Sequence, residues 1–220
     1  MTNPESNGFW SFFDGYAAPQ LAHREDTFRK TFEYLDRFAT PITIVETGCL
    51  RKEGNWQGDG QSTVLFDKYV SSRGSDSKVY SVDLDPAAVQ LCRTLVSGNV
   101  QVTAADSVAY LNTLTKRFAE ENIKVNLFYL DSFDLDPTYW FASACHHLKE
   151  LVSAWRSVDP DTLLVIDDCP IDAQLIQNKE GGFSSLQVSV GGKGRLVAEF
   201  ARQIGIQPMF SNYQAGWVGF

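Results

Sequence analysis

Five short apolar runs recur along the chain, separated by longer segments of helical character. Each run is rich in Val, Ile, Leu and Tyr and is almost continuously apolar, as expected for parallel strands covered on both faces. Alternation of such strands with helices predicts a doubly wound α/β sheet. The predicted strands are residues 42–45, 79–82, 100–103, 125–130 and 163–166, and the predicted helices between them are 63–70, 87–97, 107–121 and 142–155.

The C-terminal part of the chain departs from this alternation. A predicted helix at 196–204 is followed by two predicted strands, 207–213 and 216–220, joined by a short turn. They predict an antiparallel hairpin at the end of an otherwise parallel sheet. Two polar, glycine-containing segments, 50–59 and 177–194, are predicted as loops.

The N-terminal segment 1–40 is predicted as a helical extension that covers the site. Residues 25–38 form an amphipathic pattern, with Phe28, Phe32 and Leu35 on one side. Further aromatic residues precede it. They cover the active site, contact the partner in a homodimer, or pack on the domain. These residues are Phe9, Trp10, Phe12, Phe13 and Tyr16.

Composition excludes several classes of protein. The 220 residues fit one domain, and the formal net charge of -8, with no cluster of Lys or Arg, argues against nucleic acid as a substrate. No apolar run approaches the roughly 20 residues of a membrane helix. The N-terminus does not resemble a secretion signal, and the four cysteines lack zinc-ligand spacing. We therefore expect a cytoplasmic protein that binds neither nucleic acid nor membrane.

The first predicted strand is followed by two glycine-containing motifs, Glu46-Thr47-Gly48-Cys49 and Gly60-Gln61-Ser62-Thr63. Glycines let a backbone approach a ligand closely, and a helix N-terminus offers free N–H groups. In an open α/β sheet, ligands bind at the carboxyl ends of the strands. The two motifs therefore indicate a nucleotide-like ligand.

The next two strand ends carry acidic residues. Asp83 could accept hydrogen bonds from both hydroxyls of a ribose, whereas Asp85 before Pro86 suits a helix cap. After the third strand, Ala105, Asp106 and Ser107 could hold an adenine ring, although Asp106 or Ser107 could equally cap the next helix.

These motifs, in this order, resemble those of the class I S-adenosylmethionine (SAM) dependent methyltransferases, over residues 42–220. The resemblance implies a Rossmann-like, seven-stranded sheet with a C-terminal antiparallel hairpin, and a methyltransferase domain over residues 41–220. It departs in the loop 50–59, which is longer than in relatives and reads as an insertion. The implied SAM contacts are Glu46 and Gly48 near the methionine part, Asp83 at the ribose, Asp106 and Ser107 at the adenine, and Gly60, Ser62, Ala105 and Asp131 around them.

Three aspartates end the fourth and fifth predicted strands: Asp131, and the pair Asp167 and Asp168. Neighbouring strand ends lie roughly 5 Å apart, so three uncompensated carboxylates would repel one another. A divalent cation, Mg²⁺ or Mn²⁺, would remove the conflict. Alternatively, Asp131 contacts SAM or substrate, and Asp167 and Asp168 cap a turn before Pro170.

The aspartates also resemble the metal ligands of metal-dependent O-methyltransferases of the catechol and macrocin types. In those enzymes the ion lowers the pKa of the acceptor hydroxyl. Catechol-type relatives have a lysine where this chain has Asp134, which leaves the proton acceptor open among Asp134, His146 and His147. Lys193 is a candidate for contacting the acceptor from its loop.

We therefore expect a SAM-dependent and Mg²⁺-dependent O-methyltransferase that acts on a hydroxyl of a small molecule, such as a sugar or natural product. Two alternatives stay open. One is a nicotinamide-dependent oxidoreductase, although residues 48–60 do not form the GxGxxG motif. The other is a non-catalytic binding module for SAM or a nucleotide.

Overall fold

The centre of the computed structural model, which describes residues 7–39 and 41–220, is a seven-stranded mixed sheet. The strands along the chain are β1 (Thr43–Thr47), β2 (Lys78–Asp83), β3 (Val100–Ala104), β4 (Leu127–Leu130), β5 (Leu163–Ile166), β6 (Asp172–Gln177), β7 (Phe183–Val188), β8 (Phe210–Ser211) and β9 (Ala215–Trp217). The order across the sheet is β3-β2-β1-β4-β5-β9-β8. β1 to β5 run parallel, and β9 runs antiparallel to both β5 and β8.

Helices cover both faces of this sheet. They are α1 (Asn7–Phe12), α2 (Glu25–Leu35), α3 (Trp56–Asp59), α4 (Ser62–Ser72), α5 (Pro86–Leu95), α6 (Ser107–Glu121), α7 (Trp140–Ala154) and α8 (Arg195–Gln203). Side chains of α1, α2 and α4 form one core with one face of the sheet. Side chains of α6, α7 and α8 form a second core with the other face.

The continuous apolar runs are explained by this two-sided burial, since every residue of β1, β4 and β5 is buried. The predicted Rossmann-like, doubly wound seven-stranded sheet with a C-terminal antiparallel hairpin is confirmed. The predicted adjacency of the fourth and fifth strands is also confirmed, because Leu127 to Leu130 pair with Leu163 to Ile166.

Residues 7–39 of the N-terminal segment pack on the rest of the chain through aromatic side chains. Phe9 and Phe13 of this segment are buried against Phe32 of α2, with ring centroids 4.5 and 5.7 Å from the Phe32 ring. Phe9 also meets Tyr69 of α4 edge-on at 5.0 Å. These helices therefore share one core, and the short 3-10 turn Ala22–Arg24 just before α2 places Arg24 beside the end of β5.

Two predicted loops have more structure than expected. The segment 177–194 was predicted to be a loop, but most of it belongs to a separate hairpin of β6 and β7. Asn178 closes that hairpin, since its side-chain oxygen accepts from the N–H groups of Glu180 and Gly182. The segment 50–59 contains α3, whose Trp56 is buried beside Tyr16, at a ring distance of 5.7 Å.

Within the described part of the chain, no helix is both long enough and apolar enough to cross a membrane.

Candidate active site

A cavity of about 460 Å³ lies at the carboxyl ends of β1, β2, β3 and β4. This is the edge at which ligands bind in open α/β sheets. Its wall is formed by the end of β2, by the loops that follow these strands, and by single residues of α3, α4, α6 and α7. The lining residues are Gly48, Cys49, Leu50, Arg51, Asp59, Ser62, Val82 to Asp85, Asp106, Ser107, Asp131 to Asp134 and His146.

The charge of this cavity is strongly one-sided. Six aspartates line it, against one arginine and one histidine. The arginine, Arg51, donates to both carboxylate oxygens of Asp134 at 2.9 and 3.0 Å, so its charge is matched locally. Asp131 is likewise paired, with Lys193 from outside the lining. The other four lining carboxylates favour a ligand that carries positive charge or hydrogen-bond donors.

Gly48 sets the shape of the cavity where β1 ends. Its φ of +81° lies in the left-handed region, and its N–H donates to the carbonyl of Val82 at 2.8 Å. A Cβ at this position would lie 2.5 Å from the carbonyl oxygen of Asp131. Only glycine therefore permits this turn, which brings the backbone of β1 against that of β4.

Asp83 is held by backbone donors and faces the cavity. One of its oxygens accepts from the N–H of Cys49 at 3.1 Å and the other from the N–H of Asp85 at 2.8 Å. Asp85 caps α5 by accepting from the N–H of Ala87 at 2.8 Å. Of these two aspartates, only Asp85 acts as a helix cap, whereas Asp83 faces the cavity.

Asp106 also caps a helix, accepting from the N–H of Ala109 at 2.9 Å at the start of α6. Its side chain still lines the cavity, together with Ser107. The hydroxyl of Ser107 lies 3.0 Å from Nε2 of His146. Asp106 therefore caps α6 and lines the cavity at the same time.

Glu46 is fully buried beneath the cavity and does not line it. Its carboxyl accepts from three hydroxyls, those of Ser62 at 2.6 Å, Thr63 at 2.8 Å and Ser81 at 2.6 Å. Burial raises the pKa of Glu46 to about 7, although these hydrogen bonds act in the opposite direction. Glu46 therefore ties the end of β1 to the hydroxyls of the first two residues of α4.

The two histidines of α7 differ sharply in position. Consecutive helical residues point about 100° apart, and accordingly His146 lines the cavity while His147 is fully buried. Burial lowers the pKa of His147 to about 4, so its imidazole is neutral near pH 7. Nε2 of His146 lies 3.4 Å from the buried carboxylate of Glu150, which also accepts from Ser132 at 2.6 Å.

At the ends of β4 and β5, the chain itself supplies cations to the three aspartates predicted to bind metal. Nε of Arg24 donates to both oxygens of Asp167 at 3.1 and 2.8 Å. Nζ of Lys193 lies 2.5 Å from Asp131 and 3.0 Å from Asp168. The expected repulsion is thus relieved by two side chains.

The described residues do not fit the predicted Mg²⁺ or Mn²⁺ ion. Across residues 7–39 and 41–220, no group of three or more His, Cys, Asp or Glu side chains is arranged to hold a metal ion. Asp167 is fully buried and already accepts from Arg24 and from the hydroxyl of Tyr129 at 2.9 Å. The repulsion predicted among the three aspartates is relieved by Arg24 and Lys193, which come from distant segments, and the predicted divalent ion is not supported.

Of the other residues predicted from sequence, some lie outside the cavity lining. Gly60 ends α3, and a Cβ there would lie 2.8 Å from the Arg24 side chain, so this glycine makes room for Arg24. Predicted residues in the lining are Gly48, Ser62, Asp83, Asp106, Ser107, Asp131, Asp134 and His146, and those outside it are Glu46, Gly60, Ala105, His147, Asp167 and Asp168.

Sequence reasoning gave Arg24 no role, and it considered Lys193 only as a contact for the acceptor. No local pattern marks Arg24, which pairs with a residue 143 positions away. Lys193 had a signal in its glycine-rich setting, Gly191-Gly192-Lys193-Gly194. Arg51 and Asp59, which also line the cavity, belong to the segment predicted as an insertion.

Comparison with known proteins gives distant similarities of fold. No family model and no curated protein sequence matches this chain. A solved complex of DhpI with SAH is similar over 98% of this chain and 95% of that one, at 12% identity and a TM-score of 0.47. A DhpI–SAM–HEP complex is similar over 99% and 98% of the two chains, at 12% identity and a TM-score of 0.42. Similarity at this level identifies neither a family nor a reaction for this chain.

Proposed function

We propose that the chain is a SAM-dependent methyltransferase that transfers a methyl group to a hydroxyl of a small molecule. The observation that carries the proposal is the acidic cavity at the strand ends, with six aspartates and one paired arginine in its lining. SAM carries a net positive charge because of its sulfonium, and its ribose offers two hydroxyl donors. Both features suit this lining.

The same cavity disfavours the nicotinamide alternative. A dinucleotide places a doubly charged pyrophosphate at the N-terminus of the first helix after β1. Here the buried carboxyl of Glu46 lies beside the N-terminus of α4, where it accepts from the hydroxyls of Ser62 and Thr63, and its negative charge when ionised would oppose a pyrophosphate. The lining also supplies no lysine, and its one arginine is engaged by Asp134.

The residues of the cavity have distinct proposed roles. Asp83, whose carboxylate is oriented by two backbone N–H groups, would accept the ribose hydroxyls. Gly48 forms the turn that shapes the cavity where β1 ends, and Asp106 and Ser107 would flank the adenine. When bound, SAM supplies an electrophilic methyl group, and the chain contributes alignment and electrostatics.

His146 is the proposed proton acceptor among the three candidates. It lines the cavity, whereas His147 is buried and Asp134 is paired with Arg51. The buried carboxylate of Glu150, at 3.4 Å, would stabilise the imidazolium after His146 takes the proton of the acceptor hydroxyl. The acidic lining favours an uncharged or cationic acceptor, such as a sugar hydroxyl, over a phosphorylated one.

Calorimetric titration with SAM, its demethylated product S-adenosylhomocysteine (SAH), and NAD⁺ tests the proposal. We expect SAM and SAH to bind and NAD⁺ not to bind. Asp83→Ala should weaken SAH binding about 100-fold, because two hydrogen bonds to a charged group are lost. Asp76→Asn, in the exposed turn before β2 and away from the cavity, is the control and should leave the affinity unchanged.

Two results would refute the SAM site: tighter binding of NAD⁺ than of SAH, or an SAH affinity that Asp83→Ala does not change. Turnover is tested separately with a panel of hydroxylated acceptors in the presence of EDTA, by following SAH release. His146→Ala should lower turnover at saturating SAM while leaving the dissociation constant of SAH close to that of the wild type. Loss of SAH binding in this variant would instead place His146 in the cofactor site.

A further inference from the structure

Lys193 reaches the ends of β4 and β5 from a short turn, Gly192–Gly194, that precedes α8. Its side chain is 1% exposed. The backbone N–H of Lys193 donates to the carbonyl of Asp168 at 3.1 Å, which fixes the turn against the end of β5. Nζ then lies between Asp131 of one strand end and Asp168 of the next, at 2.5 and 3.0 Å.

The glycines around Lys193 make this approach sterically feasible. Gly192 has a φ of +50°, and a Cβ there would lie 2.1 Å from the carbonyl oxygen of Asp168. A Cβ on Gly194 would lie 2.5 Å from Sγ of Cys169. Any other residue at these two positions would push the turn away from β5. The sequence Gly192-Lys193-Gly194 therefore serves to bring one ammonium group to the carboxylates.

The ammonium group of Lys193 lies between two of the carboxylates that the sequence predicts to bind a divalent ion. It bridges carboxylates from two adjacent strands, and its pKa is raised because Asp131 and Asp168 outweigh the effect of burial, which acts to lower it. Lys193 also holds the pKa of Asp168 below its usual value, although burial acts to raise it. Asp167 is bound by Arg24, so each of the three aspartates has a cationic partner.

We propose that Lys193 is a built-in cation that takes the place of a divalent metal at the β4–β5 edge. It is a positioning residue: it fixes Asp131 in the cavity wall and offsets the charges of Asp131 and Asp168, so that the site works without a metal ion. This inference does not rest on the proposed methyl transfer, because it concerns only the side chains that compete for these carboxylates.

The proposal predicts that removing the ammonium group creates a metal site. Lys193→Met keeps the length of the side chain but leaves Asp131 and Asp168 without their cation. We expect this variant to bind Mn²⁺ at least about tenfold more tightly than the wild type, measured by loss of the electron paramagnetic resonance signal of free Mn²⁺. Lys193→Arg, which retains a cation, should resemble the wild type.

Two further variants serve as controls. Lys116→Met removes the same charge from an exposed position on α6, where the side chain is 66% exposed, and should gain no Mn²⁺ binding. The double variant Asp131→Asn, Lys193→Met should lose the gain, because one of the new ligands is neutralised. Circular dichroism checks the fold of each variant, and Mn²⁺ should raise the melting temperature of Lys193→Met alone.

A folded Lys193→Met that binds Mn²⁺ no better than the wild type would overturn the proposal. The wild type gives a second test that does not depend on the folding of that variant. If the wild type binds one Mn²⁺ and Asp131→Asn abolishes that binding, a metal displaces Lys193 and the proposal fails. Absence of such binding supports it. SAH titration of the same samples reports on the cofactor site independently.

Discussion

The two halves of the sheet's carboxyl edge stabilise their acidic residues in opposite ways. At the ends of β1 and β2, Glu46 and Asp83 are held by neutral donors, which are hydroxyls for Glu46 and backbone N–H groups for Asp83. At the ends of β4 and β5, Asp131, Asp167 and Asp168 are held by the cations Lys193 and Arg24.

The difference separates ligand binding from structural stabilisation. Neutral donors orient a carboxylate without cancelling its charge, so Asp83 remains available to a cationic or donor-rich ligand. A cation cancels most of the charge, so Asp167 contributes to holding Arg24 in the fold. Asp131 belongs to both halves, because it lines the cavity and pairs with Lys193.

The largest expected effect is on the cationic half. Asp167→Ala leaves the guanidinium of Arg24, which is 4% exposed, without its main partner. Breaking a buried pair typically costs about 3–5 kcal/mol. We expect the lower end of this range, because Arg24 keeps a second, longer contact of 3.4 Å with Asp168. Urea unfolding followed by circular dichroism measures this loss of unfolding free energy.

A double variant separates the charge from the packing. Arg24→Met combined with Asp167→Leu removes both charges, and its free energy of unfolding should lie above that of Asp167→Ala alone. If Asp167→Ala cost less than about 1 kcal/mol, the pair would behave like an exposed one and the contrast between the two halves would disappear.

A smaller effect, one that depends on pH, is expected for Glu46. Because its pKa in the folded state, about 7, lies above the ordinary value of 4.5, the folded protein holds this proton more tightly than the unfolded chain. The stabilising contribution is therefore complete below pH 4.5 and is lost as the pH rises to about 7. The loss amounts to about 3 kcal/mol for a shift of this size.

Glu46→Gln isolates this contribution, since an amide does not titrate. The free energy of unfolding of the wild type, relative to the variant, should fall between pH 4.5 and 7 and stay constant above that range. Unfolding titrations at several pH values measure it. A relative stability that rises with pH would mean that the hydrogen bonds from Ser62, Thr63 and Ser81 outweigh burial, and that the folded protein favours the ionised Glu46.

Much of the fold follows from the sequence, because the local patterns are strong. Continuous apolar runs predicted the five parallel strands, and the C-terminal tail predicted the antiparallel pair. The strand ends also indicated the cavity, since Gly48, Asp83 and Ser107 all line it. Each of these depends on a few neighbouring residues.

The contacts that the sequence does not predict join residues that are far apart in the chain. Every position of β1 is buried, so the burial pattern does not distinguish Glu46 from its neighbours. The sequence therefore does not show that Glu46 binds the hydroxyls of Ser62, Thr63 and Ser81 and does not line the cavity. Arg24 precedes Asp167 by 143 residues, and no spacing rule links them. The aspartates therefore predicted a metal ion, because the cations that pair with them, Arg24 and Lys193, lie far from them in the sequence.

The smallest expected effect is on the exposed pair of Arg51 and Asp134, whose side chains are 50% and 73% exposed. Arg51→Met should change the free energy of unfolding by less than about 1 kcal/mol, because solvent screens the pair and ordering two long side chains costs entropy.

The Arg51→Met variant nevertheless makes the cavity more negative. If SAM binds there, its extra positive charge relative to SAH should shift the SAM-to-SAH affinity ratio in its favour by about two- to threefold at low salt. Titrations of both ligands at low and high NaCl measure the ratio, and high salt should reduce the shift. An unchanged ratio at low salt would mean that the sulfonium lies too far from Arg51 to sense its charge, and would move the sulfonium away from the Arg51 side of the cavity.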